Sequence, residues 1–80
     1  MTVRVLAFAR ARELLSADHV TLELAEGACV RDAWAALLAS APALRDSGVI
    51  RMARNGRVAD PDDALSPGDE LALLPPVGGG

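Results

Sequence analysis

The sequence predicts an α+β roll, a mixed sheet of about five strands with one main helix packed on one face, in the order strand, strand, helix, strand, strand, strand. Three observations predict it. Stretches of near period-two alternation open and close the chain, TVRVLAFA at 2–9 and ELALLP at 70–75. One stretch, CVRDAWAALLASAP at 29–42, repeats apolar residues at helical spacing. Asn55-Gly56, the dipeptide that best fits a two-residue hairpin turn, divides VIRMARNGRVAD into two short strands.

Along the first strand the alternation puts Val3, Val5 and Ala7 on one face and Arg4, Leu6 and Phe8 on the other. RARELLSAD is polar and helix-tolerant, a turn or short helical excursion. HVTLELAEG reads as the second strand, with Val20, Leu22 and Leu24 facing one way, Thr21 and Glu23 the other, and Gly27 ending it. On the helix, Val30, Ala33, Trp34, Leu37, Leu38 and Ala41 form one apolar stripe. Asp32 in the first turn suits the helix dipole, and Pro42 stops the helix at or before Ala41. Cys29 stands where Ser or Thr would make a capping box with Asp32, so a weaker cap is expected. Asp60-Pro61-Asp62-Asp63 reads as a single helical turn capped by Asp60, and Ser66-Pro67-Gly68-Asp69 as a turn. The last strand faces Leu71 and Leu73 one way, Ala72 and Leu74 the other.

A chain of 80 residues is one domain's worth, and buries only about 60% of the surface it exposes when unfolded. Phe8 and Trp34 are its only aromatics, so the expected core is Ala, Val and Leu with Trp34 as the one large piece. No apolar run approaches the roughly 20 residues that cross a bilayer, and the opening residues are too short and strand-like for a secretory signal. The lone Cys29 can form no internal disulfide. A cytoplasmic protein without membrane contact is expected. The net charge of −3 argues against a nucleic-acid partner.

Enzyme constellations are missing from the pattern. Cys29 and His19 lack the clustering of metal ligands, and His19 has no nucleophile near it in sequence. Asp60, Asp62 and Asp63 lack the glycine and terminal Glu of a calcium loop, and capping accounts for them. A helix N-terminus lowers a thiol's pKa, but no partner base or second cysteine accompanies Cys29, and a structural role is expected. All eight basic residues are Arg. A GC-rich coding sequence accounts for that, since Gln and Tyr are missing too; a second account is that a reactive acyl terminus gains from having no ε-amine to attack it.

The ending LLPPVGGG is the unusual element. A domain over 1–76 and a flexible functional tail over 77–80 are expected. Pro75-Pro76 can continue neither ladder nor helix and pushes the chain into a stiff extended path. From Pro76 onwards the remaining residues reach roughly 15 Å, at about 3.3 Å each. Gly78, Gly79 and Gly80 carry no Cβ and can thread a channel too narrow for other residues. The Gly80 α-carboxylate, with an ordinary pKa of about 3.3–3.7, is ionised at neutral pH and a poor acceptor for nucleophiles. It needs activation by an ATP-using enzyme.

VRVLAFARARELL, LSPGDELALLPPVGGG, the length and the element order together resemble the small, sulfur-carrying subunit of molybdopterin synthase, in the ubiquitin-like β-grasp group. Arg12-Glu13-Leu14, Gly68-Asp69-Glu70, Pro75-Pro76-Val77 and Gly79-Gly80 carry the likeness most specifically. The resemblance implies a β-grasp fold and a non-catalytic subunit of a transferase. It implies that an E1-like adenylyltransferase adenylates Gly80 with ATP, and that a sulfur donor protein converts it to a thiocarboxylate. The large synthase subunit, in a heterotetramer, would use that sulfur to build the dithiolene of molybdopterin from its pyranopterin precursor. Gly80 is then the acyl and sulfur site and Gly79 the narrow neck behind it, while Gly78 falls where the family varies. The chain itself would bind no cofactor.

Family partners dock on an apolar surface beside the last strand, which implies contacts from Phe8, Val58 and Leu74, with Pro75, Pro76, Val77 and Gly78 following along the tail. Ordinary core is the competing role for the first three. Two departures stand out: Cys29 replaces a hydroxyl cap, and Arg54 replaces a residue that is often apolar. Other functions remain open at this stage: a carrier for thiamine or cysteine biosynthesis, a modifier forming isopeptide bonds through Gly80, or an interaction domain with an idle tail. Thiamine carriers are usually shorter and lack the Pro-Pro and Arg-Glu-Leu features.

Overall fold

The computed structural model describes residues 1–49 and 51–75, so Pro76, Val77, Gly78, Gly79 and Gly80, and with them the expected tail and its boundary, lie outside the described residues. The strands are β1 (Thr2–Leu6), β2 (His19–Glu23), β3 (Arg51–Arg54), β4 (Arg57–Val58) and β5 (Glu70–Leu74). They form one sheet in the order β2-β1-β5-β3-β4. β1 and β5 run parallel at its centre, and the other pairs are antiparallel. The main helix α2 (Val30–Ser40) supplies Val30, Ala33 and Leu37 to the core. This is the α+β roll that the alternation and the single long amphipathic stretch predict, with the β-grasp arrangement that the resemblance implies.

Alternation decides which strand residues are buried. Val3, Val5, Leu71 and Leu73 are fully buried together with Leu37 of α2. Each such side chain contributes about 1.5–3 kcal/mol relative to exposure. The core is aliphatic, as composition requires, but Trp34 is not its central piece. Trp34 is half-buried and packs against the core from its margin, and the volume is filled instead by leucines, among them fully buried Leu44.

Three segments refine or depart from expectation, the first of them realising the short helical excursion while ending β1 earlier than read. β1 ends at Leu6, and Ala9–Leu15 forms a second helix, α1, entered through Ala9 at φ +50° and closed by Ser16 at φ +55°. At seven residues α1 is too short to be stable alone, so its signal in the sequence is weak; buried Ala11 ties it to the core. Pro42 stops α2 as expected but also starts a 3-10 helix, Pro42–Asp46, that delivers Leu44 to the interior. Asp60–Asp63 makes one turn and no helix. The Asp63 N–H donates to the Asp60 carbonyl at 2.9 Å and the Asp62 N–H to the Asp60 carboxylate at 2.9 Å, after which Ala64 bridges to Cys29.

The hairpin turn has Asn55 at φ +49° and Gly56 at φ +87°, the pair of left-handed residues that a type I′ turn needs. Cys29 caps α2 mainly through its backbone. The Asp32 carboxylate accepts from the Cys29 N–H at 2.9 Å and from its thiol at 3.3 Å, and these bonds hold Asp32 below the usual carboxylate pKa.

β5 is locked in place by a polar clamp. The buried Asp69 carboxylate accepts from Arg54 Nε at 2.7 Å, Asn55 Nδ2 at 3.0 Å and the Ser66 N–H at 2.8 Å. Asn55 Oδ1 in turn accepts from the Glu70 N–H at 2.9 Å. Arg54, the departure noted above, thus has an internal partner. Burial pushes the Asp69 carboxyl up, but its hydrogen bonds outweigh that and hold it below the ordinary value. A depressed native pKa means that the stabilisation is complete above the unfolded pKa of about 3.9 and is lost as pH falls through the lower native value. Asp69→Asn should therefore cost about 1–3 kcal/mol at neutral pH and flatten the acid limb of stability against pH, as read by denaturant titrations from neutral pH down to about 2.

Candidate docking face

The sheet face turned away from α2 is built by register. Leu6 pairs with Ala72, Ala72 with Ala53, and Ala53 with Val58, an apolar row crossing β1, β5, β3 and β4. On the same face, one step towards the end of β5, Leu74 pairs with Arg51. One step the other way, Arg4 pairs with Glu70. The row is thus apolar along its length and flanked by charge on both sides.

Two of the three expected contact residues are exposed, Phe8 at 46% and Val58 at 61%, and Leu74 is half-buried. Phe8 follows β1 directly and occupies the N-cap of α1, two residues beyond Leu6. Leu74 stands two residues beyond Ala72 on β5, and Val58 ends the row on β4. Pro75, also expected to contact partners, is exposed. The fold therefore places Phe8, Val58 and Leu74 around one face, with Pro75 leaving its edge. Exposed large apolar side chains grouped on a small domain mark a surface that a partner covers.

Charged residues border this face, and only some were legible in sequence. Arg4, Arg12, Asp18 and His19 line a recess of about 310 Å³ with Leu6 and Phe8. His19 Nδ1 lies 2.9 Å from Asp18 and, by hydrogen bond first and charge second, lowers the Asp18 pKa. Around the β3–β4 edge a larger groove of about 520 Å³ is lined by Trp34, Val49, Arg51, Met52, Val58 and Ala59, among others. Period-two alternation already sets Arg4 beside Leu6 and Phe8. The position of Arg51 opposite Leu74 depends on the β3–β5 register, which no local pattern announces.

Among the described residues, no three His, Cys, Asp or Glu side chains gather as metal ligands, and no helix is long and apolar enough to cross a membrane. The face offers apolar area and guanidinium groups.

The sequence model of the ThiS family matches residues 5–80. The molybdopterin synthase sulfur carrier subunit of Chlamydomonas reinhardtii is 39% identical, with 100% of both chains covered. Among solved structures, the small archaeal modifier protein SAMP1 of Haloferax volcanii superposes with a TM-score of 0.89 at 34% identity, covering 100% of both chains. A chain of the complex of subunits 1 and 2 of the Helicobacter pylori molybdopterin-converting factor is similar with a TM-score of 0.71 at 26% identity, again over 100% of both chains.

Proposed function

This chain belongs to the ThiS family, and from that membership we propose that it is the sulfur carrier subunit of a molybdopterin synthase, with Gly80 as the group that is charged. What carries the proposal is likeness over the whole length to a molybdopterin synthase sulfur carrier, joined to an apolar face at the edge from which Pro75 leaves. The Gly80 carboxylate attacks the α-phosphorus of ATP on an E1-like enzyme and releases pyrophosphate. A persulfide sulfur on a donor protein then displaces AMP to give an acyl disulfide, and a thiol cleaves its S–S bond, which frees the Gly80 thiocarboxylate and leaves a disulfide on the donor side. ATP belongs to the activating enzyme, and this chain holds no cofactor of its own.

Docked through Phe8, Val58 and Leu74, the chain presents Pro75, Pro76, Val77 and Gly78 to the large subunit's channel. Gly79 passes the narrowest point and Gly80 delivers the sulfur. Transfer of that sulfur to the pyranopterin precursor completes the cycle, in the cytoplasm. The test is intact mass after incubation with an E1-like enzyme, ATP and a sulfur source. The expected product differs by one oxygen-to-sulfur exchange at Gly80, and an unchanged mass would overturn the proposal.

Likeness to the small archaeal modifier SAMP1 over the whole chain favours a second function, attachment of Gly80 to amines of other proteins. Both functions start from the same activated carbonyl. They separate at the acceptor, which is sulfur in one and an amine in the other.

A further inference from the structure

We propose that the outer edge of β2 pairs with β2 of a second copy of this chain, antiparallel about a two-fold axis at Thr21, so that one sheet runs through both copies. Among the described residues nothing pairs with that edge, because β2 stands at the end of the strand order. A bare edge is a template for another strand, and folded proteins usually blunt it with proline, lysine, a bulge or a very short strand. None of these protects β2. Its sequence is HVTLE, and it pairs with β1 residue for residue from Glu23 to His19 without a bulge. The opposite edge, β4, is only two residues long and carries Arg57.

The β1–β2 ladder decides which backbone groups the edge offers. The Ala7 N–H donates to the Asp18 carbonyl at 2.9 Å, and the Leu24 N–H to the Met1 carbonyl at 2.8 Å. Bonded pairs alternate in an antiparallel ladder, so Val20 and Leu22 also turn their backbone groups towards β1, while His19, Thr21 and Glu23 turn theirs outward. A two-fold axis at Thr21 matches those outward groups with their own copies. Thr21 meets Thr21 of the second copy and His19 meets Glu23 of the second copy, each pair exchanging both N–H···O bonds.

The side chains select the same register. His19, Thr21 and Glu23 are exposed on one face, where Thr–Thr contact and an imidazole facing a carboxylate are favourable cross-strand pairs. His19 Nδ1 is held 2.9 Å from Asp18, which leaves Nε2 for the Glu23 carboxylate of the second copy. On the other face half-buried Val20 meets Leu22 of the second copy, and both lose their remaining exposure. Moving the axis by one residue in either direction separates His19 from Glu23. A single pair of five-residue strands stays below the about 1,200 Å² of a standard interface, so the dimer forms at high protein concentration. Its axis stands normal to the sheet and turns both outward faces to the same side, with Val58 on the far edge uncovered.

The test is sedimentation equilibrium of the full chain between about 10 μM and about 1 mM. The mean mass should climb from 8.3 kDa towards twice that value. Thr21→Lys sets two ammonium groups against each other at the axis and should weaken association at least tenfold. Thr21→Pro should do the same, and since its lost N–H points outward it removes no bond to β1; thermal melting checks that both variants stay folded. His19→Glu alone should weaken the dimer, and adding Glu23→Lys to it should restore association by putting opposite charges face to face again. A chain that stays at 8.3 kDa at about 1 mM overturns the proposal and leaves the edge to a strand from another protein. Association that Thr21→Lys leaves unchanged, or that the double charge variant fails to restore, overturns it as well, because the contact then runs through another surface or register.

Discussion

Deletion of Gly79 and Gly80 is expected to abolish thiocarboxylate formation and sulfur transfer completely while leaving the fold intact. The last strand closes its ladder at Leu74, and the described core and strand pairings are built from residues no later than that. What the deletion does is move the terminal α-carboxylate back by two residues. The new terminus at Gly78 falls about 7 Å short of where Gly80 delivers its carbonyl, at roughly 3.3 Å per residue, and a shift of even 1 Å at a reacting centre costs about a hundredfold in rate. Mass spectrometry after activation, product formation with the large subunit and thermal melting of the same sample are the measurements. A truncated chain that still supports sulfur transfer would remove Gly80 from the chemistry. An interaction domain with an idle tail would keep all its activity under the same deletion.

The second large effect is expected from Val58→Asp. Val58 is 61% exposed at the end of the apolar row, so replacing it should leave stability within about 0.5 kcal/mol. In a covered interface the same change sets a carboxylate against apolar surface. A loss of about 2 kcal/mol there is about 30-fold in affinity for the large synthase subunit. Calorimetric titration reads the affinity, and the denaturant midpoint checks the fold. If affinity is unchanged while the Gly80 deletion is inactive, docking runs through another surface and the tail acts without this face.

Much of this was legible because it is written in short-range pattern. Period two in TVRVL and ELALL sorted β1 and β5 residues onto two faces, and the structure buries the one that carries Val3, Val5, Leu71 and Leu73. Asn55-Gly56 declared its turn through the backbone angles it tolerates. Less legible was α1, whose residues favour a helix but whose seven-residue length is marginal alone, so that docking through buried Ala11 has to complete it. The apolar stripe of α2 was correct in phase, yet phase does not say which member lies deepest, and Leu37 is buried where Trp34 stays half-exposed. The bonds of Asp69 to Arg54 and Asn55 join a turn to a hairpin 14 and 15 residues away, beyond the range of any periodicity.

By itself, then, the sequence determined the strand faces, the helix, the hairpin turn and a terminus without side chains, because each depends on residues a few positions apart. Only the tertiary structure decided that the first and last strands lie side by side, that Leu6, Ala72, Ala53 and Val58 form one row, and that Arg51 stands beside Leu74 while Met1 lies at the far end. Those relations come from closing long loops against the packing of a shared core, and that free energy belongs to the whole chain and to no segment of it.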